Sequence, residues 1–129
     1  LGDAQWAWLE AQLREPADVR LIVTSIQAIA SGHGWETWGN FPHEQRRLFD
    51  LVRSTGAAGV IFLSGDRHHA EISRLPAGEG VGYPLFDFTS SGMNQSGHNR
   101  QEPNPYRLGE RFTRPHFGVV AIDWAEPDP

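Results

Sequence analysis

The sequence predicts an α/β domain, a mixed β-sheet with flanking helices, and three observations carry that prediction. Two short apolar runs, residues 19–26 and 60–64, read as buried strands because their centres are too apolar for a half-wet sheet. A helical pattern opening at Pro42 lies between them, giving a strand, helix, strand order that normally forms a parallel crossover. After the second run the pattern turns to β only, with strands expected at residues 71–75, 85–89 and 118–123.

The elements follow in order. Asp3 is placed to cap a first helix in which Trp6, Leu9 and Leu13 recur on one face, ending before Pro16. The second helix starts at Pro42, carries Leu48, Phe49, Leu51 and Val52 as an apolar stripe, and stops at Gly56. The segment 94–115, rich in Gly, Pro, Asn and Arg, reads as one long loop, and residues 126–129 as an exit linker.

At 129 residues the chain amounts to one domain or less, and its 39% hydrophobic content is that of a globular protein. The net charge is -5 and the arginines are scattered, which gives no nucleic-acid footprint. There is no cysteine, so any bound metal must use nitrogen and oxygen ligands. Runs such as Gly59-Val60-Ile61-Phe62-Leu63 fall far short of the roughly 20 residues a membrane helix needs, so no membrane partner is expected. The chain opens on leucine, almost directly into a helix, and is expected to lack an amino-terminal portion.

Ligands of open α/β sheets bind beyond the carboxyl ends of parallel strands. Two segments sit there: the long loop 27–41, and Gly65-Asp66-Arg67-His68-His69-Ala70-Glu71. In an extended backbone Asp66 and His68 would leave the chain on the same side, with Gly65 supplying freedom to turn and His69 pointing the other way. A carboxylate and an imidazole suit a first-row dication or iron. Spacing alone leaves two readings open: metal ligation, or a plain turn in which Asp66 bonds nearby amides. Trp35 and Trp38 in the loop either wall a pocket or pack the loop onto the sheet. Thr89-Ser90-Ser91-Gly92 reads as a turn whose hydroxyls can face the same site. His43 falls at a helix start, His98 in a loop and His116 before a strand, with no catalytic role assigned.

Taken together these segments resemble the PhoD-like alkaline phosphatases, a branch of the calcineurin-like metallophosphoesterases. The matching pieces are Leu1-Gly2, Gln5-Trp6, Trp8-Leu9-Glu10, Ser25-Ile26-Gln27, and Trp35-Glu36-Thr37-Trp38-Gly39-Asn40-Phe41-Pro42 with Arg46-Arg47-Leu48. They continue through Phe62-Leu63-Ser64-Gly65-Asp66-Arg67-His68, Thr89-Ser90-Ser91-Gly92 and His116-Phe117-Gly118. The superfamily closes its ligand set with Gly-His-x-His, and the PhoD-like version puts aspartate in place of the first histidine, as Gly65-Asp66-Arg67-His68 does here.

The resemblance implies that residues 1–129 are the carboxy-terminal part of a PhoD-like domain and the second half of a four-layer α/β/β/α sandwich. It implies a hydrolase of phosphate mono- or diesters, with Asp66 and His68 as metal ligands in a dinuclear site of the iron and calcium type. Gln27, Trp38 and Arg67 become candidate substrate-binding residues, and the ester itself a partner. Where the superfamily has a further histidine ligand, this sequence has Ser25 and Gln27. The earlier ligand motifs are absent, so the expected partner is the missing amino-terminal half or another copy of the chain. Family membership would favour an exported or periplasmic location. The alternative is a chain that folds or associates without performing chemistry.

Overall fold

The computed structural model describes residues 1–97 and 101–126. His98 and residues 127–129 of the expected exit linker lie outside the described residues. Helix α1 runs Asp3–Arg14 and turns Trp6, Leu9 and Leu13 inward. Its cap is Gly2 and not Asp3: the Gly2 amide bonds to Gln5 Oε1 at 3.3 Å, while Asp3 sits in the first turn. There its charge favours the positive end of the helix dipole.

Strand β1 is Arg20–Val23, shorter than the expected run; the Thr24 amide still bonds the Leu63 carbonyl at 2.9 Å, and the chain leaves the sheet after it. A single 3₁₀ turn at Trp38–Asn40 leads into α2, Pro42–Thr55. Pro42 occupies the first turn and Gly56 ends the helix in the left-handed region, φ 68°, where a side chain would be strained. Strands β2, Val60–Ser64, β3, Ala70–Leu75, and β4, Leu85–Ser90, fall where the sequence placed them.

The five-stranded sheet has the order β1-β2-β4-β3-β5. β1 is parallel to β2, and β2 to β4. β3 then runs antiparallel to β4. The fifth strand, β5, is Arg107–Phe112, antiparallel to β3 at the sheet edge. It lies inside the segment expected to be loop. Its charges and the glycine at its middle disguised it, and these are the features that protect an edge strand: the ladder shifts register between Ala70 and Ile72, opposite Gly109 at φ 67°.

Residues 118–123 form no strand, although their apolar, β-branched run is strand-like. A strand needs a ladder partner, and this stretch lies against none among the described residues. Phe117, Val119 and Trp124 are exposed.

Both helices cover one face of the sheet. Trp6, Leu9 and Leu13 of α1 and Leu48 and Val52 of α2 pack with Val60, Phe62, Leu75 and Leu85 in a single cluster. The opposite face carries Leu21, Val23, Ile72, Leu108 and Phe112, all substantially exposed, with Ile61, Leu63, Phe86 and Phe88 half-buried between them. No helix is long and apolar enough to cross a membrane among the described residues.

Candidate functional site

The helix-covered face changes character along the strands. Near the start of β2 and β4 it is apolar, and toward their carboxyl ends it becomes polar: Ser64, Asp87, Thr89, Glu71 and Ser73 are all buried. Buried polar groups persist only when bonded, and these are. Asp87 accepts from Ser64 Oγ at 2.6 Å and from the Ala28 and Ile29 amides at 2.7 and 3.1 Å, which folds the loop after β1 back against the sheet. Glu71 accepts from Gln27 Nε2 at 2.6 Å, Asn104 Nδ2 at 3.2 Å and Arg107 Nε at 2.5 Å. His69, itself buried, places Nε2 3.8 Å from Glu71 Oε1.

The two carboxylates respond in opposite directions. Burial raises Glu71, but the nearby His69, the bonds from Arg107 and Gln27 and the Arg107 charge outweigh it and bring its pKa down to about 2. Burial also raises Asp87, and there it prevails over the bonds from Ser64 and the Ile29 and Ala28 amides.

Above this polar layer comes the turn after β2. Its backbone is not extended: Asp66 and His68 take φ values of 68° and 53°. Left-handed backbone costs a side-chain-bearing residue about 1–2 kcal/mol, so strict alternation does not describe the segment. Gly65 is not where the bend is taken up. The turn is closed by the Arg67 amide on the Gly65 carbonyl at 2.9 Å, and by the His68 amide on Ser91 Oγ at 2.9 Å. Asp66 is exposed, His68 half-buried and His69 buried.

The segment around Ser91 completes this corner. A Cβ on Gly92 would lie 2.3 Å from His116 Cε1 and 3.1 Å from the His68 carbonyl, so only glycine lets the two strand ends meet. His116, bonded through its amide to the Gly92 carbonyl at 3.0 Å, stands beside the turn with Nε2 buried and unbonded.

The other expected residues are placed as follows. Gln27 is fully buried, bonded to Glu71 and to Thr89 Oγ1 at 2.9 Å, and bridged to Thr37. Trp38 is half-buried, donates to Thr24 Oγ1 at 2.9 Å and meets Trp6 edge-on at 6.3 Å, packing the loop onto α1. Arg67 turns inward to Glu102 Oε2 at 2.6 Å, and its guanidinium lies 5.1 Å from the Trp35 ring. Trp35 in turn donates to Glu102 Oε1 at 3.0 Å. His33 lies near this group, and burial, followed by the Arg67 charge, holds its imidazole below the ordinary value.

Glu71, Asp87, Glu102, Asn104 and Arg107 were not singled out from the sequence. A signal existed for two of them: alternation puts Glu71 with Ser73 and Leu75 on one face of β3, and Asp87 with Leu85 and Thr89 on one face of β4. Glu102, Asn104 and Arg107 lie in the segment read as loop and gave none.

Asp66 and His68 are a donor pair suited to a first-row metal, presented at the carboxyl end of a parallel strand. A carboxylate and an imidazole supply two of the three or more ligands a metal site needs. No group of three or more His, Cys, Asp or Glu side chains converges on a common point among the described residues.

No family model matches the sequence, and no curated protein does. A search of solved structures returns one titled "Structure of PhoD", with a TM-score of 0.59 and 20% identity. The match covers 70% of this chain and 20% of that one, so the chain spans about a fifth of that protein's length. At this identity the likeness is one of fold: the mixed sheet with its helices is similar to part of PhoD.

Proposed function

We propose that this chain supplies Asp66 and His68 to the metal centre of a phosphoester hydrolase, as the carboxy-terminal part of a PhoD-like domain. The observation that carries the reading is the Gly65-Asp66-Arg67-His68 turn at the carboxyl end of the parallel strand β2, with Asp66 exposed and His68 half-buried. The fold likeness to PhoD supports it. So does the uncovered apolar sheet face, which suits a four-layer sandwich completed by a second sheet from the remaining half of the domain.

When bound, two metals of the iron and calcium type would polarise the ester and lower the pKa of an attacking water. The chain's own part is positional. The His68 amide, tied to Ser91, and the Arg67 amide, tied to Gly65, fix the turn. The buried Glu71–Arg107–Gln27 network makes the floor beneath it rigid. In this arrangement Gln27 and Trp38 act by holding the loop 27–41, and substrate contact by either requires the loop to open.

The test uses the intact protein, with hydrolysis of an aryl phosphate and a diester measured alongside metal content. Asp66→Ala and His68→Ala are each expected to lose at least about a hundredfold in rate, the equivalent of about 3 kcal/mol of transition-state stabilisation, together with bound metal. Near-normal rate and metal content in both variants would overturn the site. An intact protein that binds no metal and hydrolyses neither ester would favour a chain that only folds and associates.

A further inference from the structure

Three stretches far apart in sequence meet at one carboxylate. Glu102, itself buried, accepts from Trp35 in the loop after β1 and from Arg67 in the turn after β2, at 3.0 and 2.6 Å, and pairs with the Arg111 charge in β5 at 3.1 Å. The Arg67 side chain is 6% exposed and lies against the Trp35 ring. It is flanked on both sides by residues in the left-handed region, Asp66 and His68. A conformation that disfavours side chains persists only where surrounding contacts over-determine it. The Arg67 amide on the Gly65 carbonyl closes the turn, and the His68 amide on Ser91 Oγ ties its far end to the segment after β4. The ion pair adds a second tie, from the middle residue of the turn to Glu102.

We propose that Glu102 is a positioning residue: through Arg67 it holds the Asp66–His68 turn in the shape that presents these two side chains, an inference that rests on the metal-site reading above. The geometry also sets what Arg67 does. With its guanidinium committed to Glu102 and lying against Trp35, its part is to anchor the turn inward between the exposed Asp66 and the half-buried His68. Lysine does not substitute fully, since one ammonium cannot both pair with Glu102 and lie flat on the indole.

The experiment compares Glu102→Gln, Arg67→Met, Arg67→Lys and the Glu102→Gln/Arg67→Met double variant in the intact protein. Two readouts are needed: hydrogen exchange of the His68 amide, and kcat and KM for an aryl phosphate. Breaking the pair is expected to speed His68 exchange roughly tenfold or more in either single variant, with the double variant no faster than the faster single. The amides of β2 and β4 keep their protection. Turnover is expected to fall in kcat at unchanged KM, and Arg67→Lys to recover part of both effects.

Two results would overturn the proposal. One is a rise in KM for Arg67→Met with Glu102→Gln silent, which would place Arg67 on the substrate. The other is exchange that accelerates equally throughout β2 and β4, which would reduce Glu102 to general structural support. If the wild-type protein binds no metal and hydrolyses nothing, the metal-site reading fails, while the exchange data still decide whether Glu102 holds the turn.

Discussion

Replacing Arg107 by methionine removes the one full positive charge bonded to Glu71, and the consequence can be worked from the structure. The Glu71 side chain is 1% exposed and that of Arg107 18%. Gln27 and Asn104 would remain as neutral donors, with His69 at 3.8 Å. Breaking a buried pair from one side costs about 3–5 kcal/mol. The two surviving donors and the partial exposure of Arg107 put this case near 3 kcal/mol, roughly 10 °C in Tm for a chain of this size. Separately, the fall of the Glu71 pKa from 4.5 to about 2, the net of burial against all its partners, corresponds to roughly 3 kcal/mol of stability at neutral pH. Because the folded pKa is depressed, that stability is complete above 4.5 and is lost as pH falls through about 2. Asp87 works the other way, since its raised pKa withholds stability as pH climbs above 3.8. Arg107 stays charged throughout, and His69, Asp87 and His33 are titratable groups near enough to feel the Glu71 charge. Urea unfolding of the wild type, Arg107→Met and Glu71→Gln from pH 7 to pH 2.5 is the assay. The difference between wild type and Glu71→Gln cancels most other carboxylates and should shrink steadily below about pH 4.5. An Arg107→Met variant as stable as wild type, or a difference flat with pH, would refute the account of Glu71.

Two other outcomes follow from packing. Gly92→Ala should destabilise by about 1–3 kcal/mol, because its Cβ would meet His116 at 2.3 Å, whereas Gly65→Ala meets nothing nearer than 3.6 Å. Equal unfolding midpoints for the two variants would contradict the close approach at His116. The isolated chain should bind an apolar dye and self-associate in sedimentation through its uncovered sheet face, and Phe88→Glu should diminish both. A compact monomer that binds no dye would count against that surface.

Much of the fold was legible because it rests on local signals. The periodicity of Trp6, Leu9 and Leu13, the proline and glycine bracketing α2, and the unbroken run of β2 each belong to a few neighbouring residues. What escaped depends on partners distant in sequence. β5 is recognisable only once β3 lies beside it, and residues 118–123 look like a strand but lack a ladder partner among the described residues. The same holds at the candidate site. The Asp66 and His68 motif could be read in four residues, but its left-handed backbone is selected by contacts to Ser91 and Glu102 that no spacing rule reveals. Arg67 shows this most plainly, because a carboxylate 35 positions later draws it inward.

Strand β4 connects the polar floor of the site with the open face of the sheet. Its sequence alternates Phe86 and Phe88 with Asp87 and Thr89, and on a sheet with one wet face the phenylalanines would turn to the core. The opposite is found: Asp87 and Thr89 are buried beneath the helices, while Phe86 and Phe88 are half-buried on the uncovered side. Reversing the strand would leave Asp87 without Ser64 and the Ala28 and Ile29 amides, and the loop 27–41 without its anchor. The polar residues therefore face the helices because they hold the loop and floor around the turn after β2. The phenylalanines occupy the other face because the sheet's second side is apolar as well, with Ile61, Leu63 and Ile72 beside them. A sheet built in this way is suited to burial on both sides, and the orientation of β4 links the organisation of the candidate site to the covering of that second face.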